Sequence, residues 1–126
     1  MSAKKKLKIL VVDDFSATRT IVINCLRKLG YSNTFEAEDG FSGLARLKSA
    51  IFDLVVTDWS MTEMSGLDLL KQIRADSELK NIPVLMVTPD DLQENIIFAI
   101  KAGLNDYIVR PFEEQTLKLK MEKIFH

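Results

Sequence analysis

Short, continuous apolar runs alternate along this chain with amphipathic stretches, and no other feature constrains the fold as tightly. Residues 7–12 and 53–57 are apolar without a polar alternation, the pattern of a strand buried on both faces. Residues 82–87 and 106–109 read the same way, with Pro83 tolerable near a strand start, and residues 34–38 form a fifth, shorter candidate. Between them lie helical patterns. Residues 15–29 carry Ile21, Val22, Cys25, Leu26 and Leu29 at helical spacing, and Gly30 follows as a C-terminal stop. Residues 40–50 carry Phe41, Leu44, Ala45 and Leu47. Gly66 opens a helix with Leu67, Leu69, Leu70 and Ile73 that ends near Asp76. Residues 91–102, closed by Gly103, and residues 113–125, with Leu117, Met121, Ile124 and Phe125 on one side, complete the set. Strand and helix alternate five times. That order predicts an α/β fold: a doubly wound, five-stranded parallel sheet with helices on both faces.

Residues 1–126 are expected to form one domain, since no composition break, repeat or low-complexity segment divides them. Hydrophobic residues make up 47% and charged residues 28%, enough to bury a core without metal or disulfide staples. The net charge of −1 argues against a general nucleic-acid binder. The single cysteine, Cys25, cannot make an internal disulfide and is expected to be a small buried apolar residue. The lysines at 4, 5, 6 and 8 read as a solvated terminus. The run behind them meets Asp13 and Asp14 too soon for a signal peptide, and nothing approaches the ~20 apolar residues of a membrane span. A cytoplasmic location is the expectation.

Each apolar run ends in chemistry. The first stops at Asp13 and Asp14, the second at Asp58, the third at Thr88, and the last at Arg110 and Pro111. Open parallel sheets bind ligands outside the carboxyl ends of their strands, which places these side chains in one crevice. Gathered carboxylates repel, and a bound cation relieves the repulsion. An all-oxygen donor set without histidine or cysteine favours Mg²⁺. A carboxylate can also act as nucleophile and become an acyl phosphate, a reaction that needs mainly positioning and charge neutralisation. Taken singly, each residue has a plainer reading: Asp13 or Asp14 as a helix cap, Asp58 as a turn former, Thr88 as a strand-end hydroxyl, Arg110 as a surface cation. Two other sites fit less well. A phosphatase of the haloacid-dehalogenase type needs an acidic residue two positions beyond Asp58, where Ser60 stands. A dinucleotide site needs a glycine-rich first turn, where this chain has Asp13-Asp14-Phe15-Ser16.

The segments Val11-Val12-Asp13-Asp14, Thr57-Asp58-Trp59-Ser60-Met61, Gly66-Leu67-Asp68-Leu69-Leu70, Val84-Leu85-Met86-Val87-Thr88 and Arg110-Pro111-Phe112 resemble the receiver domain of two-component response regulators. Within it the stretches Glu36-Ala37-Glu38-Asp39-Gly40, Gln72-Ile73-Arg74-Ala75-Asp76 and Glu94-Asn95-Ile96-Ile97 look most like the single-domain, CheY-like chemotaxis regulators. The resemblance implies a flavodoxin-like sheet of strand order 2-1-3-4-5. It implies that Asp58 accepts a phosphoryl group from a histidine kinase. Asp13, Asp14, Asp58 and the backbone carbonyl of Ser60 would hold Mg²⁺, Thr88 and Arg110 would attend the phosphoryl group, and Tyr107 would be the aromatic switch. It implies no turnover chemistry beyond the chain's own phosphoryl transfer and hydrolysis. The partners implied are a CheA-like histidine kinase and, through residues 91–125, a flagellar motor switch protein or another output protein. The chain would act as a monomer, without nucleic acid or membrane. A degenerate receiver used as a scaffold or phosphate sink is the alternative.

The chain departs from the family pattern at several points. Arg110 stands where lysine is usual, keeping the charge but changing its reach, so phosphorylation is expected to persist with altered coupling to the output surface. Thr62 replaces a proline, which predicts a less rigid loop after Asp58. Pro89 restrains Thr88 toward extended backbone. Ser60 and Asp90 occupy positions that tune phosphoryl loss in the family. Leu92 and Gln93 stand where the best-known chemotaxis regulator carries lysines, while Lys120 and Lys123 remain. Leu92, Ile96, Ile97, Phe98 and Ile100 are more apolar than one helical stripe can bury, which predicts an exposed partner groove and a partner other than the flagellar switch, or weak binding to it.

Overall fold

The computed structural model describes residue 4, residues 6–89 and residues 93–125, with residues 93 and 94 described by backbone alone. Asp90 and Leu92 lie outside the described residues. Five strands form one parallel sheet: β1 (Ile9–Val12), β2 (Thr34–Ala37), β3 (Leu54–Asp58), β4 (Val84–Thr88) and β5 (Asp106–Val109). The order across the sheet is β2-β1-β3-β4-β5, as expected. Among the described residues five helices connect or follow them: α1 (Ser16–Lys28), α2 (Gly40–Ser49), α3 (Gly66–Ala75), α4 (Gln93–Lys101) and α5 (Glu114–Phe125).

The apolar runs are strands because both faces are covered. Every residue of β1, β3 and β4 is buried. On one face, Leu10, Val12, Val55 and Met86 pack against Leu47 of α2, Leu69, Leu70 and Ile73 of α3, and Ala99 of α4. On the other, Ile9, Val11, Leu54, Val56, Leu85 and Val87 meet Val22, Ile23 and Leu26 of α1 and Leu117 and Met121 of α5. Each such valine, leucine, isoleucine or methionine contributes about 1.5–3 kcal/mol by leaving water.

The helix ends are specified locally. Asp39 and Ser42 make a reciprocal capping box at α2, and Ser65 and Asp68 make another at α3. Gly30 and Gly103 end α1 and α4 at φ +100 and +103, which glycine adopts at little cost. Neither Asp13 nor Asp14 caps α1; the cap position is Phe15, which has no side-chain bond.

Some sequence expectations shift in detail. Ile21 and Phe41 are exposed rather than core-facing. Cys25 is half-buried at the edge of the α1 face, and burial pushes its thiol above the usual range. The lysine cluster is not simply solvated: Lys4 donates to the Leu29 carbonyl at 3.3 Å, and the Lys8 ammonium lies 4.9 Å from the Phe35 and Phe52 ring centres. Among the described residues no helix is long and apolar enough to cross a membrane.

Candidate functional site

The register of the sheet assembles the site. Val12 of β1 pairs with Thr57 of β3, and Asp58 pairs with Val87 of β4. The residues that follow these pairs therefore leave the sheet along one edge. Asp13, Asp14 and Asp58 each offer a carboxylate oxygen there, and these oxygens lie within 4.8 Å of one another. Asp13 and Asp58 are both only 3% exposed, whereas Asp14 is half-buried.

Local bonds fix each carboxylate. Asp13 accepts from the Phe15 N–H at 2.9 Å, and Asp58 accepts from the Trp59 N–H at 2.9 Å. Asp14 is held from across the crevice: one oxygen, Oδ2, accepts from the Thr62 N–H at 3.0 Å and the Thr62 hydroxyl at 3.3 Å. Proline at 62 could make neither bond, so Thr62 ties its loop to Asp14 where the sequence suggested slack. The other oxygen of Asp14, Oδ1, is buried without a hydrogen-bond partner among the described residues. A buried acceptor left unpaired costs about 1–3 kcal/mol. An orphaned carboxylate oxygen on a residue that clusters with two other carboxylates suits a hard divalent cation, which this all-oxygen set would take in preference to zinc or copper.

Burial pushes the Asp58 carboxyl up from its ordinary 3.8 to about 6, and the nearby Asp13 adds to the rise; Arg110 and the Trp59 N–H pull the other way. Asp13 is also raised, chiefly by burial. Arg110, at the end of β5, places Nη2 3.5 Å from Asp58 Oδ1. Its backbone N–H donates to the Thr88 carbonyl at 2.8 Å, which links the ends of β4 and β5. Thr88 ends β4 and is 8% exposed, and Pro89 follows it at the surface. Ser60 is exposed on the loop after Asp58 and lines a shallow cavity with Asp14, Trp59, Met61 and Thr62.

Tyr107 lies on β5, half-buried, with the Lys120 ammonium 5.3 Å from its ring centre. Lys120 is itself held by Asp106 at 2.9 Å. On α4, Ala99 is buried and Ile96 half-buried, while Ile97, Phe98 and Ile100 are more than half exposed. The wide apolar stripe thus does not face the core entirely.

Sequence reasoning missed three sets of contacts. Thr62 binds Asp14, Thr18 of α1 accepts from Arg110 Nη1 at 3.2 Å, and Arg74 bonds the carbonyls of Lys80, Ile82 and Gly103. No local pattern announces any of them.

Residues 9–122 match the family model of the response regulator receiver domain. The chain is 59% identical over 121 residues to chemotaxis protein CheY-3 of Vibrio cholerae serotype O1, covering 96% of this chain and 93% of that protein. The crystal structure of Vibrio cholerae CheY4 superposes with a TM-score of 0.87 at 31% identity, covering 94% of this chain and 98% of that one. The receiver domain of the sensor histidine kinase PA1611 from Pseudomonas aeruginosa, solved with magnesium in its active-site cleft, superposes at 0.83 with 26% identity, covering 95% and 98%. With nearly every strand and helix inside the family match, and a chemotaxis regulator identical at more than half of the aligned positions, this chain belongs to the response regulator receiver family as a CheY-like member.

Proposed function

We propose that this chain is a phosphorylation-activated switch in which Asp58 accepts a phosphoryl group from a histidine kinase of the CheA type. One observation carries the reading: Asp58 is buried, charged above about pH 6, and faced by a guanidinium at 3.5 Å beside two further carboxylates. An Asp58 oxygen attacks phosphorus, the N–P bond of the donor phosphohistidine breaks, and the leaving imidazole nitrogen takes up a proton. The phosphoryl group is later lost by hydrolysis: water attacks phosphorus, the P–O bond to Asp58 breaks, inorganic phosphate leaves and the Asp58 carboxylate is restored. Such transfers need positioning and charge neutralisation more than bond-making by the protein.

Asp13, Asp14 and Asp58, with the Ser60 backbone carbonyl, would hold Mg²⁺, which when bound neutralises the carboxylates and the charge on the transferring oxygens. Arg110 supplies fixed positive charge on the remaining side of Asp58. Thr88 follows the phosphoryl group with its hydroxyl, and Tyr107 changes rotamer with it. Output passes through the surface of residues 91–125, where Ile97, Phe98 and Ile100 offer apolar contact to a protein partner, a flagellar motor switch protein or another of that kind. Residues 1–126 act as one cytoplasmic, monomeric receiver unit.

Incubation with acetyl phosphate and Mg²⁺, read by intact mass, tests the reading. One phosphoryl adduct is expected, absent in Asp58→Asn. A folded, Mg²⁺-binding chain that takes up no phosphoryl group would point to a binding scaffold instead.

A further inference from the structure

We propose that Thr18 is a positioning residue of the phosphoryl-acceptor site: it anchors one arm of the Arg110 guanidinium on α1 so that the other arm faces Asp58. The inference rests on the function proposed above. It starts from the two ends of one fork. Arg110 Nη1 donates to Thr18 Oγ1 at 3.2 Å, while Nη2 stands 3.5 Å from Asp58 Oδ1. The third nitrogen, Nε, is buried without a hydrogen-bond partner, so the fork is the only part of this side chain with a side-chain partner among the described residues.

A lone contact at 3.5 Å does not hold a long, rotamer-rich side chain in place. A second anchor on a different element does, because the guanidinium is planar and rigid: fixing one arm orients the other. A lysine ammonium is a single point charge and cannot place one donor on α1 and another at Asp58 in this way.

Thr18 sits on a firm base. It is half-buried in the first turn of α1, and α1 buries Val22 and Leu26 against the sheet. The next residue, Arg19, donates to the Asp13 carbonyl and pairs with Glu36 at 2.8 Å. The start of α1 is thereby tied both to the crevice and to β2. An anchor on this turn moves little when the charge on Asp58 changes.

Arg110 therefore reaches Asp58 from a fixed bearing set by a hydroxyl on α1. With that hydroxyl removed, the guanidinium turns toward water and serves the transferring oxygens less often. Thr18→Val keeps the shape and removes the hydroxyl; Thr18→Ser keeps the hydroxyl. Phosphoryl uptake from acetyl phosphate in Mg²⁺ is expected to slow about fivefold in Thr18→Val, the scale of one net hydrogen bond, and to return to within about twofold in Thr18→Ser. In an Arg110→Lys background, Thr18→Val should have no further effect. The Arg110 guanidinium N–H resonances should show restricted rotation in the unsubstituted chain and Thr18→Ser, and free rotation in Thr18→Val.

Unchanged uptake in Thr18→Val overturns the proposal. So does an equal loss in the Arg110→Lys background, because Thr18 would then act through α1 and not through Arg110. If the unsubstituted chain takes up no phosphoryl group, the proposed function fails; the guanidinium resonances still decide the anchor, and free rotation in the unsubstituted chain removes it.

Discussion

Asp58→Asn should stabilise the cation-free chain at neutral pH and leave it almost unchanged in acid. Below pH 3.8 the carboxyl is neutral in both the folded and the unfolded chain. Between pH 3.8 and about 6 the unfolded chain releases its proton while the folded chain keeps it, so folding weakens as pH rises. Above about pH 6 the whole penalty is present. A carboxyl held at about 6 instead of 3.8 corresponds to about 3 kcal/mol at about 1.4 kcal/mol per pH unit. The side chain is only 2% exposed, so solvent screening takes little away. That figure is already net of the attraction to Arg110, which lowers the carboxyl. Asparagine keeps the shape and the acceptor for the Trp59 N–H, and its amide can donate toward Asp13. The assay is urea unfolding in chelator from pH 3.5 to 8, followed by the fluorescence of Trp59, the single tryptophan. The gap between the two chains should open from near zero at about pH 4 to 2–3 kcal/mol, about the size of the carboxyl's penalty, by pH 7 and then stay flat. Mg²⁺ should narrow it by stabilising the chain that carries three carboxylates. A gap of the same size at pH 4 and pH 7.5, or an Asp58→Asn chain less stable at pH 7.5, would refute burial and repulsion as the source.

Gly66→Ala should cost at least 1–3 kcal/mol in thermal unfolding, roughly the overpacking range, because a Cβ there collides with the Asp58 carbonyl oxygen and comes 3.1 Å from the Trp59 Cα. Arg74→Lys should cost about 2–3 kcal/mol in chemical denaturation despite keeping the charge, since the fork bonds the carbonyls of Lys80, Ile82 and Gly103 and also the Asn105 side chain at 2.9 Å. Lys120→Met should destabilise more than Asp106→Ala, by about 1–2 kcal/mol in parallel melts. The first leaves a carboxylate whose side chain is 9% exposed, still accepting from the Tyr107 N–H at 2.8 Å but with Lys123 at 3.8 Å as its remaining cation among the described residues, whereas the second frees a lysine that can reach water. Equal losses would show that Asp106 is already solvated.

What the sequence discloses here depends on the distance over which a contact is decided. The strands are legible because parallel strands are apolar on both faces, and β1, β3 and β4 are buried at every residue. The edge that carries the candidate site is legible because parallel order puts every carboxyl end on one side, so Asp13, Asp14 and Asp58 converge whatever the loops do. Which way a helix turns is less legible. The stripe of α2 predicts Phe41 inward, yet Phe41 is 56% exposed. That helix is seated through its glycines: a Cβ on Gly43 would lie 3.1 Å from Val12 of β1, and one on Gly40 would collide with Met64 in the loop before α3. Close approach of backbone, rather than apolar periodicity, decides the rotation. Least legible are the polar contacts across the crevice. Periodicity assigns Thr18 a face and leaves Thr62 on a loop, but names a partner for neither, and their partners lie 92 and 48 residues away. Arginine for lysine at 110 accordingly reads in sequence as one cation with a different reach. In three dimensions it decides which helix that cation is tied to, since only a forked group can hold α1 and face Asp58 at once.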